Sequence, residues 1–351
     1  MMRRHGWVGA GLITGAALAG CAGLAVTSGY LLRLPSTLPL SIAPGGPAPT
    51  SAPAADDGAT VVGERRRGER TLDLAVRSPV LSHVVHVRLL LPPGWRRGST
   101  RTYPVLWLLH GMRGDHTSWT GHTDVDLLTA DLDVLVVMPD GGSCGLYTDW
   151  WNRGAGGPPC WETFHLTELR QILERGYGAG TSRAVAGAGA GGLGALAYAA
   201  RHRGLFRAAA SFSGPLHTLH NEPHGLDVSD LVELAVAVGS RGADWADVWG
   251  DPREQRIVWR QHNPYDLADR LSGVRLHVAS GDGSPGPFDP RPSRAPDVLE
   301  RLSRTLSGEF AGKLRKLGIP VSTHFYRGTH SWPYWQRELR AALPLLLADL
   351  S

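Results

Sequence analysis

The chain has 351 residues, 42% of them apolar and 19% charged, which supplies a sizeable core and excludes wholesale disorder. Its 36 Lys and Arg face 32 Asp and Glu; setting aside Arg3 and Arg4 in a terminal segment leaves 34 against 32, too even a balance for a basic nucleic-acid surface. The 45 glycines read as the bias of a GC-rich genome, except at the one position developed below.

Met1-Met2-Arg3-Arg4-His5 precedes Trp7 to Leu32, 26 residues without a charge. About 20 apolar residues cross a bilayer, so residues 1–32 are expected to be a signal sequence or a membrane anchor. The two arginines favour a cytoplasmic N-terminus. Leu18-Ala19-Gly20-Cys21 offers a lipoprotein processing site that would lipidate Cys21, although the apolar run continues past it to Leu31-Leu32. Either route exports the rest of the chain. Residues 33–67 then carry Pro35, Pro39, Pro44, Pro47, Pro49 and Pro53 among Ala, Ser, Thr and Gly, a composition expected to form a semi-extended spacer ending in a solvated Arg65-Arg66-Arg67 collar.

From residue 68 short apolar runs alternate with longer amphipathic ones. Val84 to Leu91 reads as a strand stopped by Pro92-Pro93-Gly94. Val105–Leu109 and Val134–Met138 are continuous apolar runs, as strands buried on both faces require. Trp161, Phe164, Leu169, Ile172 and Leu173 recur at helical spacing before Gly176. Ala184-Val185-Ala186 then enters a Gly-rich turn and an Ala-rich helix from Leu193 to about His202. Further strands are expected at Ala208–Phe212, Val274–Ala279 and Val321–Phe325, and a last helix from Arg337 to about Leu350. This alternation predicts one large α/β domain, residues 68–351, with a mainly parallel sheet flanked by helices. Several strands end in polar turns: His110-Gly111, Asp140-Gly141, Gly187–Gly192, Asp282 and His330. Sites of open α/β sheets form beyond the carboxyl ends of the strands, which gathers these turns on one rim.

Several of these segments together resemble the esterase D family of α/β-hydrolases, in particular the mycolyltransferase branch typified by antigen 85. They are Leu108-Leu109-His110-Gly111-Met112-Arg113, the stretch from Met138-Pro139-Asp140-Gly141-Gly142 to Tyr147-Thr148-Asp149-Trp150-Trp151, Trp161-Glu162-Thr163-Phe164, and Gly328-Thr329-His330-Ser331-Trp332-Pro333-Tyr334-Trp335. The resemblance implies an α/β-hydrolase fold, acyl transfer or ester hydrolysis, His330 as catalytic base, and backbone N–H groups of Met112 and Ala190 as an oxyanion hole. It further implies that Arg113 lines the acceptor site and that Trp332 contacts sugar or lipid. The triad acid falls to Asp289, or alternatively to Asp282 directly after its strand.

The family's nucleophile elbow is Gly-x-Ser-x-Gly between a strand and a helix. This chain has Gly187-Ala188-Gly189-Ala190-Gly191, so Gly189 occupies the serine position. Glycine adopts the elbow's unusual backbone readily, so the turn survives while the acylated atom is lost. Expectation therefore divides between an impaired member that binds envelope lipid, sugar or a partner, and an active acyltransferase or carboxylesterase that uses water or a displaced serine, Ser211 or Ser213, with His330. Gly187-x-Gly189-x-x-Gly192 also fits a dinucleotide fingerprint, but no acidic residue follows at the ribose distance, between Ala208 and Gly214; no cofactor is expected. No metal is expected either, His217, His220 and His224 reading as solvated loop residues. Cys144 and Cys160, with 15 residues between them, are expected to be bridged in an oxidising compartment.

Overall fold

The computed structural model describes residues 52–221, 227–240, 243–290, 295–348 and 350. The expected signal or anchor, Cys21, most of the spacer and His224 lie outside the described residues. Among the described residues, no helix is long and apolar enough to cross a membrane.

Along the central strands successive side chains face opposite ways, and both faces are buried. Val105, Trp107 and Leu109 join one apolar cluster while Leu106 and Leu108 join a second on the other face. The strands are β1 (Thr60–Arg66), β2 (Thr71–Ser78), β3 (His83–Leu90), β4 (Tyr103–Leu109), β5 (Leu135–Pro139), β6 (Ala179–Ala188), β7 (Ala208–Phe212), β8 (Arg275–Gly281) and β9 (Ser322–Tyr326). They form one sheet in the order β1-β2-β3-β5-β4-β6-β7-β8-β9. β1, β2 and β3 pair antiparallel, as do β3 and β5, and the rest of the sheet is parallel. The mainly parallel, helix-flanked sheet expected from the alternation is present.

The helices are α1 (Ser118–His122), α2 (Val125–Leu128), α3 (Trp161–Thr163), α4 (Arg170–Gly176), α5 (Ala190–Arg201), α6 (Val228–Gly239), α7 (Ala246–Trp249), α8 (Arg256–His262), α9 (Val298–Lys316) and α10 (Trp332–Leu347). A π-helical stretch, Phe164–Leu169, joins α3 to α4. Helix α10 lays Trp335, Leu339, Ala342, Leu343 and Leu346 on one face of the sheet. Beyond the strand ends a third cluster packs Cys144, Leu146 and Trp150 against Val232 and Val236 of α6 and against Trp249 and Trp259. The latter two tryptophans are core residues, with indole N–H groups bonded to Thr148 Oγ1 and the Gly250 carbonyl.

Two expectations are corrected. The spacer expected to reach residue 67 ends earlier, since Thr60–Arg66 form β1 against β2; the three arginines are exposed, as expected, and Arg67 pairs at 2.8 Å with Asp73, which also holds Arg88 at 2.7 Å. Cys144 and Cys160 are not bridged. Cys144 is buried in the third cluster, whereas the Cys160 thiol donates to the Gly157 carbonyl at 3.1 Å. Burial pushes the thiol of Cys144 up to about 12 and that of Cys160 up to about 11, so both stay protonated.

Candidate active site

The strand-to-helix turn between β6 and α5 is the sharpest in the sheet's rim. Gly189 adopts φ +53°, ψ −121° there, a conformation that L side chains rarely take. The neighbouring glycines serve a different need. A Cβ on Gly187 would lie 2.1 Å from the Gly191 carbonyl oxygen, one on Gly191 would lie 2.3 Å from that of Leu109, and one on Gly192 would lie 2.4 Å from Ser211 Oγ. Those three are glycine because helix and strand touch. At Gly189 there is room: a Cβ would meet His330 Nε2 at 3.2 Å, and the next atoms are 3.7 Å or more away. The direction in which a side chain would leave residue 189 therefore runs straight to the imidazole.

His330 lies between β9 and α10, and its ring is held from behind. Its Nδ1 is 2.7 Å from Glu300 Oε2; with the carboxylate accepting, the proton resides on Nδ1 and the Nε2 lone pair faces Gly189. Trp335 meets the imidazole edge-on, with ring centroids 4.8 Å apart. The other oxygen of Glu300 accepts from Ser213 Oγ at 2.8 Å and from the Gly281 N–H at 2.5 Å. Glu300 is fully buried, and these donors replace the water that a buried carboxylate gives up. Asp297 fixes the frame: one oxygen caps α9 by accepting from the Glu300 N–H at 3.0 Å, and the other accepts from the His330 N–H at 2.8 Å.

The carboxylate on His330 is thus neither of those expected. Asp289 accepts from Tyr334 OH and the Gly286 N–H, each at 2.7 Å, and from Thr329 Oγ1, so it braces the loop beneath the histidine. Asp282 accepts from the Ser284 N–H at 2.8 Å as a turn cap. Both expected acids lie in the loop after β8, whereas Glu300 is in the first turn of α9, beyond that loop. Its one sequence signal is Asp297-x-x-Glu300, the spacing of a helix cap and its third residue.

Of the candidate serines, Ser213 is committed elsewhere and the buried Ser211 Oγ has no hydrogen-bond partner among the described residues. Ser213 gives its proton to Glu300 and accepts from Trp335 Nε1 at 3.0 Å, on the Nδ1 side of the pair. Ser211 is fully buried beneath the turn, against Gly192 and Gly214.

Met112 and Arg113 are exposed in the loop after β4, and this loop is tied down. Arg113, at φ +60°, donates its N–H to the Ser143 carbonyl at 2.8 Å. His110 accepts from the Gly141 N–H at Nε2 and donates from Nδ1 to the Gly111 carbonyl, while Tyr147 OH donates to the His110 carbonyl at 2.7 Å. Below them, Tyr198 OH donates to His165 Nδ1 and His165 Nε2–H donates to the Asp140 carbonyl, each at 2.8 Å. Burial holds His165 down at about 4, so it stays neutral. His110, Tyr147 and His165 explain why the segment from Met138 to Tyr147 belongs to the site although its side chains do not reach Gly189. Ala190 opens α5, where helix geometry leaves the first N–H groups without intrahelical acceptors. Trp332 stacks on His122 at 5.0 Å and meets Trp119 and Trp335 edge-on at 5.2 and 5.1 Å, extending an aromatic wall from the histidine.

A histidine oriented by a buried carboxylate thus faces Gly189 at the turn into α5, with Gly111 of the loop after β4 beside it. Among the described residues, one His/Glu group could hold a metal ion, His217, His220 and Glu309, and it is separate from this site.

Comparison with known proteins agrees. The Esterase family matches residues 78–346. The chain is 35% identical over 250 residues to Esterase Rv1288 of Mycobacterium tuberculosis, covering 70% of this chain and 52% of that protein. It is 32% identical over 254 residues to diacylglycerol acyltransferase/mycolyltransferase Ag85A of Mycobacterium ulcerans, covering 69% and 72%. Among solved structures, Mycobacterium tuberculosis MPT51 (FbpC1) superposes with a TM-score of 0.64 at 24% identity, covering 81% of this chain and all of that one, a likeness of fold. The chain spans about half the length of the esterases first among its curated relatives. It belongs to the Esterase family of α/β-hydrolases, with the antigen 85 mycolyltransferases among its relatives.

Proposed function

We propose that this protein is an exported, membrane-tethered member of the family that binds an acyl ester, glycolipid or sugar of the cell envelope, or a protein partner, without efficient covalent acyl transfer. The observation that carries this reading is Gly189. Its backbone keeps the elbow conformation, a Cβ there would point at His330 Nε2 from 3.2 Å, and no atom is present to be acylated. Export and tethering rest on the uncharged run from Trp7 to Leu32 and the proline-rich spacer after it. Within the cleft, Glu300 takes the role of the acid, orienting His330; Met112 and Ala190 supply N–H groups for a substrate carbonyl; Arg113 and Trp332 offer a guanidinium and an indole to a polar or lipidic ligand.

A second reading is favoured by one specific feature, the intact His330–Glu300 pair at 2.7 Å. A water or an acceptor hydroxyl in the space above Gly189 would give its proton to Nε2 and attack an ester carbonyl directly, with no acyl-enzyme. Hydrolases stripped of a triad member keep roughly 10³–10⁴-fold catalysis over water from what remains.

The full-length protein and His330→Ala, assayed on chromogenic acyl esters and by tryptophan fluorescence on adding an acyl glycoside, separate the two. The first reading expects saturable binding and turnover no faster in the parent than in His330→Ala. Turnover that disappears in His330→Ala overturns it in favour of direct attack, and absence of both binding and turnover removes both.

A further inference from the structure

Apart from the cleft, the fold gathers a second group of chemistry-bearing side chains. His217 and His220 lie on the loop that leaves β7, and Glu309 projects from the middle of α9, about ninety residues later in the chain. His217 Nδ1 is 3.0 Å and His220 Nδ1 2.9 Å from the same oxygen, Glu309 Oε2, and the three ligand atoms all lie within 4.8 Å of one another. From this geometry we infer a binding site for a divalent metal ion, zinc being the best fit, formed by His217, His220 and Glu309.

The set matches zinc chemistry: two imidazole nitrogens and one carboxylate, with solvent water as the fourth ligand. Tetrahedral bonds of about 2.0–2.1 Å put neighbouring ligand atoms roughly 3.3 Å apart, so the two histidine–Glu309 distances need to open by a few tenths of an ångström, while the histidine–histidine distance, within 4.8 Å, adjusts to the same separation. The rings are 16% and 14% exposed and Glu309 37%, which leaves one side open for entry and for the water.

The loop is built to hold these rings. The His220 N–H donates to the His217 carbonyl, a turn that brings the histidines of His-x-x-His to the same side. The Leu216 carbonyl accepts from the Tyr265 N–H at 3.0 Å, and the Thr218 N–H donates to Asn263 Oδ1 at 3.0 Å. The Tyr265 ring stacks on His217 at 3.8 Å with planes 10° apart and carries Lys313 Nζ on its ring at 4.2 Å, which fixes the imidazole plane. Contacts of this kind behind the ligand rings hold them in orientation for a metal. An ion here would clamp the loop that begins at Ser213 to α9, the helix whose first turn carries Glu300. It would serve as a structural staple beside the cleft rather than as part of it.

The test uses the full chain, stripped with EDTA and dialysed against zinc, with bound metal measured by elemental mass spectrometry and affinity by competition with a chromophoric chelator. One zinc per chain is expected, with a rise in thermal midpoint on loading. Glu309→Gln, which keeps side-chain size at a partly exposed position, and His217→Ala/His220→Ala are each expected to weaken binding at least about tenfold. Zinc that is not retained by the parent, or that binds the double variant with unchanged affinity, overturns the site. If the three side chains only hydrogen-bond, Glu309→Gln lowers the midpoint while zinc leaves the parent's midpoint unmoved, which also overturns it.

Discussion

Restoring the hydroxyl at position 189 probes the cleft directly. Gly189→Ser forces a side chain onto φ +53°, ψ −121°, at a cost of about 1–3 kcal/mol. Steric cost adds little, because the one tight contact of the new Cβ, at 3.2 Å, is with the end of the His330 side chain, which needs to yield by only a few tenths of an ångström. By contrast Gly187, Gly191 and Gly192 would each drive a Cβ into its surroundings at 2.1–2.4 Å and cannot be exchanged in this way. At about 2–4 °C per kcal/mol for a large domain, the thermal midpoint should fall by roughly 2–12 °C, leaving a folded protein. The new Oγ would stand beside Nε2 with the proton of the imidazole already placed by Glu300, the arrangement of an activated nucleophile. Acyl ester release should rise at least about a hundredfold over the parent, given that nucleophile and base act as a unit. Intact-mass spectrometry should then detect an acyl adduct on Ser at 189. Gly189→Ala carries the same strain without the hydroxyl and should show the midpoint drop alone. A folded Gly189→Ser protein with neither adduct nor gain in rate would refute the claim that this glycine is the only missing element.

Three more outcomes rest on the same structure. In the Gly189→Ser background, Glu300→Gln should erase the gain while Asp282→Asn, a turn cap, should keep it; the opposite result would return the acid to the loop after β8. In the parent, Glu300→Ala should cost about 3 kcal/mol or more, measured by urea denaturation, because His330, Ser213 and the Gly281 N–H lose a buried partner together. Two buried rings should each cost stability in mild acid, while Glu168 and Glu233, each pushed by burial up to about 7, work in the opposite sense over the same range. Burial lowers His165 to about 4 and His262 to about 3, so between those values and the ordinary imidazole value of about 6.5 the unfolded chain binds more protons than the folded one. The stability these neutral rings contribute is present above pH ~6.5 and is lost as pH falls, by about 1.5 kcal/mol per ring down to pH ~5. Urea titrations of the parent and His262→Gln at a series of pH values check this: the parent should lose stability relative to the variant as pH falls from ~6.5 to ~5, and a constant difference would show that His262 protonates without cost.

The sequence by itself determined the sheet and the elbow. Runs such as Val105–Leu109 have no polar face, so they can only be strands covered on both sides, and β7 lies where its apolar run predicts, at Ala208–Phe212. That Gly189 stands between Gly187 and Gly191, where the resembled family has its serine, is legible in the chain. The hairpin of β1 and β2 was hidden because Glu64-Arg65-Arg66 has no apolar alternation; its edge position needs only backbone pairing with β2. The acid on His330 was decided by tertiary structure alone. A carboxylate becomes a histidine's partner through burial and direction, and Glu300 gains both from the first turn of α9, docked by Asp297 against the histidine loop. The same holds for His217, His220 and Glu309. Spacing along the chain shows two loop histidines and an unremarkable helical glutamate, and only the packing of α9 against the loop after β7 brings their ligand atoms to one point. Local patterns record which faces are covered, while long-range docking decides which polar atoms meet.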